Sequence, residues 1–98
     1  MSAELDPHGA ESDALLGTAK FHGARVLEIG CGDGRLAFRY ASASAFVVGI
    51  EPLLDEVRSA QRACPSDLRP RVTFVPATAL ALPFRRDAFD IAVLAWSL

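Results

Sequence analysis

The chain has 98 residues, 51% of them hydrophobic and 22% charged, with a formal net charge of −2. That length allows one small domain, the composition is that of a globular rather than a disordered chain, and the charge argues against a nucleic-acid platform, which normally carries a basic face, while leaving a local basic patch open. The two cysteines, Cys31 and Cys64, fit neither a disulfide framework nor a metal spacing, the N-terminus has no signal-like core, and no apolar run nears the ~20 residues of a membrane span, so the expectation is a cytoplasmic protein with no metal site.

Residues 1–11 read as a polar, flexible leader punctuated by Pro7 and Gly9, and residues 12–98 as the domain. Residues 12–20 carry a weak helical pattern, with Ser12 or Asp13 as its cap and Gly17 against it. The Val-Leu-x-Ile run of Arg25 to Ile29 is too short for a helix and fits a strand buried on both faces. Arg35 to about Ala43 has the spacing of a crossover helix. Phe46 to Ile50 is a second buried strand, ending at Glu51-Pro52. Leu53, Leu54, Val57 and Ala60 then recur at helical spacing, with Asp55, Glu56, Arg58 and Arg62 opposite. Arg71 to Val75 is a third strand between Pro70 and Pro76. Thr78 to Leu82 is a connector with one helical turn, residues 83–88 are a loop, and Phe89 to Leu94 is a fourth strand. Strands alternating with helices imply parallel pairing, hence an α/β, Rossmann-like, doubly wound sheet.

The first strand ends in Glu28-Ile29-Gly30-Cys31-Gly32-Asp33-Gly34, and in an open parallel sheet ligands gather at the carboxyl ends of the strands. Glycine there lets a ligand approach the backbone, and the next helix start offers unpaired N–H groups. A P-loop needs a lysine after the glycines and none follows. The dinucleotide pattern G-x-G-x-x-G is met by Gly30 and Gly32, but its third glycine falls one residue early, at Gly34. Glu28 would repel a pyrophosphate and suits a ligand with an ammonium group. Glu51 lies 21 residues after Gly30, the spacing at which an acid accepts hydrogen bonds from ribose hydroxyls. Asp33 reads equally as a turn cap or a ligand contact. Cys31 and Cys64 read as unreactive thiols, His8 and His22 as surface residues, and Asp90 as a strand-start residue. Trp96 suits a pocket wall or packing equally.

These residues resemble motif I of the class I S-adenosylmethionine-dependent methyltransferases. Ala77-Thr78-Ala79-Leu80-Ala81-Leu82-Pro83-Phe84 with Asp87-Ala88-Phe89-Asp90-Ile91 is similar to the family's GDAxxLPF…FD segment, especially in the ubiquinone/menaquinone-biosynthesis-like small-molecule methyltransferases. The resemblance covers about residues 12–98. It implies S-adenosylmethionine as cofactor and a small molecule as methyl acceptor. It implies Glu28 beside the methionyl ammonium, Gly30, Cys31, Gly32 and Gly34 along the methionyl and ribose parts, Glu51 on the ribose, and Pro52 and Leu53 bordering the adenine. The family's adenine-facing acid aligns with Thr78, so a weaker contact from Thr78 and the Ala79 backbone is expected.

A complete fold of this family has about seven strands, the first four in spatial order 3-2-1-4. Those four are the ones read here, and the C-terminal strands are missing. Strand four is then expected to be a bare apolar edge, which self-association or a partner chain would cover. No residue reads as a general base, so the catalytic residues stay unassigned. The leading expectation is the cofactor-binding half of a small-molecule methyltransferase. A truncated, inactive methyltransferase-like fragment is the alternative, and a nicotinamide-dependent Rossmann oxidoreductase the third.

Overall fold

The apolar runs of the sequence align as neighbours in one parallel sheet. The structure is a computed structural model that describes residues 2–6, 21–81, 84–85 and 87–95. Its elements are β1 (Ser2–Asp6), β2 (Arg25–Ile29), α1 (Arg35–Tyr40) with a 3-10 turn at Ala41–Ala43, β3 (Phe46–Glu51), α2 (Leu54–Ala63), β4 (Val72–Pro76) and β5 (Ile91–Ala95). The strand order is β1-β5-β2-β3-β4, and every pairing is parallel. The four strands expected from sequence are β2, β3, β4 and β5, and their order is the expected 3-2-1-4.

The remaining strand corrects the sequence reading. Ser2–Asp6 lies inside the stretch taken as a flexible leader, yet it pairs with β5 in register from Ser2↔Ile91 to Asp6↔Ala95. The bare strand-four edge is therefore absent, because the chain's own N-terminal strand occupies it. The outer strands are β1 and β4. Pro76 ends β4, a position where its missing N–H costs no ladder bond to a further strand. The helical pattern at 12–20, Pro83 and Trp96 lie outside the described residues.

Two apolar layers flank the sheet. On one face Val26 and Val47 meet Ala37 and Tyr40 of α1 and Val57 and Ala60 of α2. On the other, Leu27 and Ile50 pack with Phe89, with Phe84 against them. Phe89 meets Phe84 edge-on with ring centroids 5.2 Å apart. Leu27, Val26 and Ile50 are buried almost completely, and each contributes about 1.5–3 kcal/mol by leaving water. Asp90 has the structural role expected of it. Its carboxylate accepts from the Arg25 backbone N–H at 2.9 Å, from Arg25 Nε at 3.1 Å and from Nη2 at 2.8 Å. Asp90 N–H returns a bond to the Arg25 carbonyl at 2.8 Å, which sets the start of β5 against the start of β2.

Candidate functional site

The loop after β2 is built by backbone bonds to the end of β3. Gly30 N–H and Cys31 N–H both donate to the Ile50 carbonyl, at 2.9 and 3.0 Å. Gly34 N–H closes the turn on the Cys31 carbonyl at 3.0 Å. Gly30, Gly32 and Gly34 all have positive φ, at 76°, 55° and 89°, where a side chain is strained. Close packing adds to this. A Cβ on Gly30 would stand 2.8 Å from the Ala95 carbonyl oxygen, so the loop lies directly on the end of β5.

Glu51 ties three strand ends together. It is buried, with 7% exposure, at the carboxyl end of β3. Its Oε1 accepts from Gly32 N–H at 3.0 Å, and its Oε2 accepts from Leu53 N–H at 3.1 Å. Its carbonyl accepts from Ala77 N–H at 3.2 Å, which brings the segment after β4 alongside. Pro52, Leu53, Thr78 and Ala79 are exposed around this end. The Thr78 carbonyl accepts from Ala81 N–H at 3.2 Å, so the expected helical turn is a single hydrogen-bonded turn. Leu53 and Leu80 are exposed large apolar side chains of the same two segments.

Glu28 is placed differently. It shares a sheet face with Val26, under α1, and has no exposed surface. Its Oε1 accepts from the Tyr40 hydroxyl at 2.7 Å. Burial, then the charge of Glu28 and its hydrogen bond, hold the Tyr40 hydroxyl well above its ordinary pKa, so Tyr40 is the proton donor.

Cys31 turns inward. Its thiol is buried, and a Cβ on Gly49 would come within 2.9 Å of Cys31 Sγ and 2.8 Å of Phe74 Cδ1. Burial first, then the negative charges of Glu28, Glu51 and Asp33, push this thiol well above its usual pKa. The nucleophilic thiolate is thereby disfavoured. Asp33 caps locally, since its Oδ1 accepts from Arg35 N–H at 3.3 Å and from Arg35 Nε at 3.1 Å. The helix that follows is only six residues long.

Two residues of this region were missed from sequence. Tyr40 reads as one apolar position of α1, but a buried tyrosine hydroxyl needs a partner, and a carboxylate in the facing strand was the available signal. Gly49 reads as a strand residue. A glycine inside a strand marks a close approach, and here Cys31 and Phe74 occupy the space.

The family of methyltransferase domains matches residues 26–98. The chain belongs to that family. The match begins in β2 and takes in the glycine loop, Glu51 and β5. Among relatives of this methyltransferase domain, 27-O-demethylrifamycin SV methyltransferase of Amycolatopsis mediterranei is 40% identical over 78 residues, which are 78% of this chain and 28% of that protein. Among solved structures, the YcgJ protein of Bacillus subtilis superposes with a TM-score of 0.80 at 28% identity, over 89% of this chain and 38% of that one. The [4+2]-cyclase SpnF superposes with a TM-score of 0.73 at 33% identity, over 85% and 32%. The methyltransferase domain described here thus spans well under half the length of the proteins it matches.

Proposed function

We propose that this chain binds S-adenosylmethionine and forms the cofactor-binding half of a methyltransferase that acts on a small-molecule acceptor. The observation that carries the reading is the pair of buried carboxylates, Glu28 and Glu51, on either side of a glycine loop at adjoining strand ends. Two carboxylates beside the loop would repel a pyrophosphate and would favour a cationic aminoacyl end. The donor set therefore fits S-adenosylmethionine better than a dinucleotide.

In this reading Glu28 balances the ammonium, and Gly30, Cys31, Gly32 and Gly34 pass beside the methionyl and ribose parts. Glu51 accepts from the ribose hydroxyls. Each carboxylate oxygen has a second acceptor site, so Glu51 can do this while keeping its bonds to Gly32 and Leu53. Pro52, Leu53, Thr78 and Ala79 border the adenine, where Leu53 supplies apolar surface and Thr78 a neutral hydroxyl. When bound, the cofactor supplies a methyl group on a sulfonium, open to in-line displacement. The contribution of these residues is placement, which is the larger part of such a displacement. A fold alone does not fix the reaction, as a cyclase among the structural neighbours illustrates. No helix among the described residues is long and apolar enough to cross a membrane. The two free, buried cysteines suit a reducing cytoplasm.

Calorimetry with S-adenosylhomocysteine tests the reading. The folded chain is expected to bind it, and Glu51→Ala to weaken binding tenfold or more, since hydrogen bonds to a charged group are each worth about 1.5–3 kcal/mol. Absence of binding, or binding indifferent to Glu51→Ala, overturns it. Tight binding of NADH in its place would favour the nicotinamide-dependent oxidoreductase reading instead.

A further inference from the structure

We propose that Tyr40 is a positioning residue for the aminoacyl end of the ligand: its hydroxyl holds the Glu28 carboxylate in the orientation that an ammonium group requires. This rests on the cofactor assignment above and names a residue that the assignment does not use.

The geometry is that of a short, charge-assisted bond. The Tyr40 hydroxyl lies 2.7 Å from Glu28 Oε1, at the upper end of the range for O–H donating to a carboxylate, about 2.5–2.7 Å. Glu28 is 0% and Tyr40 2% exposed, so bulk water does not compete for the bond. The ring is fixed from two sides. Phe21 stacks on it with centroids 4.7 Å apart, and the Ser44 hydroxyl donates to the Tyr40 carbonyl at 3.2 Å. A donor pinned at both ring and backbone pins its acceptor in turn.

Removing the Tyr40 hydroxyl removes the bond that orients Glu28 Oε1. The carboxylate then turns from the position in which it balances a cation. A ligand lacking the ammonium does not sense this change. Tyr40 therefore selects for the aminoacyl end of the ligand and is indifferent to the nucleoside end.

The test compares two ligands with the same thionucleoside. S-adenosylhomocysteine carries the aminoacyl group, and 5′-methylthioadenosine lacks it. For Tyr40→Phe, calorimetry is expected to give a roughly tenfold loss of S-adenosylhomocysteine affinity, the equivalent of one bond to a charged group. The affinity for methylthioadenosine is expected to be unchanged. Glu28→Gln is expected to show the same selective loss, and adding Tyr40→Phe to it no further loss. An unchanged S-adenosylhomocysteine affinity, or equal losses for both ligands, overturns the inference. If the wild-type chain binds neither ligand, the cofactor assignment itself fails and this inference with it.

A second measurement keeps the hydroxyl in place, in case Tyr40→Phe fails to fold. Tyr40 is the single tyrosine of the chain, so 3-fluorotyrosine labels it alone. Its fluorine resonance is expected to move on saturation with S-adenosylhomocysteine and to stay put with methylthioadenosine. Equal shifts with the two ligands contradict a role tied to the aminoacyl end.

Discussion

Gly34→Ala is the substitution whose cost is set most completely by the structure. Gly34 has φ +89°, and a Cβ there would lie 2.8 Å from Phe38 Cζ, 2.9 Å from Phe74 Cζ and 3.2 Å from Ala60 Cβ. Positive φ costs an L-residue about 1–2 kcal/mol. Forcing an extra methyl into a filled space adds about 1–3 kcal/mol. The Phe38 and Phe74 rings contact edge to face, with centroids 5.7 Å apart, so neither ring can give way without disturbing the other. The smaller freedom of alanine in the unfolded chain returns about 0.4–1 kcal/mol. The expected net loss is about 2–4 kcal/mol, a large share of the roughly 5–15 kcal/mol that stabilises a domain of this size. Gly23→Ala is the control. Gly23 also has positive φ, 67°, but none of the described residues comes within 4 Å of an added Cβ, so only the backbone cost of about 1 kcal/mol applies. Urea unfolding of the three proteins, read as midpoint shifts at constant slope, separates the two terms. Equal losses for Gly34→Ala and Gly23→Ala, or a loss under about 1 kcal/mol for Gly34→Ala, would refute the packing argument.

Three further outcomes follow from the titrating groups. The Tyr40 hydroxyl is held above its ordinary value in the fold, so its stabilising contribution is complete below about pH 10 and is lost as the pH rises beyond it. The 295-nm absorbance of this single tyrosine should therefore rise only together with unfolding, and a midpoint near pH 10 in the folded chain would contradict the bond to Glu28. Asp90 is held down to about 2 by Arg25. Its contribution is present above the ordinary carboxylate value and fades as the pH falls through about 2. Asp90→Asn should flatten the stability profile between those limits, and an unaltered acid profile would remove the Arg25 pair from the account. Burial and the neighbouring carboxylates keep Cys31 protonated. Its alkylation by iodoacetamide at pH 8 should wait for unfolding, and rapid native-state labelling would be inconsistent with the packing against Gly49.

The sheet was legible in the sequence where the chain is apolar and β-branched. Val26-Leu27 and Phe46-Val47-Val48 are apolar runs too short for a helix, and such runs fit a strand buried on both faces. The glycine loop was legible because its spacing rejects two competing nucleotide motifs. Ser2–Asp6 was illegible for the opposite reason. It is short, and its polar–apolar alternation spans only five residues, too few to stand out from a polar leader without the β5 backbone that pairs with it. α1 stops at Tyr40 and tightens into a 3-10 turn, although the sequence pattern runs on to Ala43. Helix ends of this kind are set by packing more than by propensity.

The residues of the candidate site were named from the sequence, but the network that joins them was not. Glu28 and Glu51 look alike in the sequence, as acids near strand ends. In the fold, Glu51 braces the loop through Gly32 and Leu53, while Glu28 lies sealed beneath α1 against Tyr40. That contrast depends on the pleat of β2 and on the phase of α1. Neither is readable from one carboxylate at a time.

The central claim is that the ends of β2, β3 and β4 form one cofactor site. Its most direct test is a map of backbone amide shifts in the 15N-labelled chain on titration with S-adenosylhomocysteine. The account predicts saturable shifts gathered at Gly30–Gly34, Glu51–Leu53 and Thr78–Ala79. Shifts gathered elsewhere, or none at saturating ligand, would contradict it.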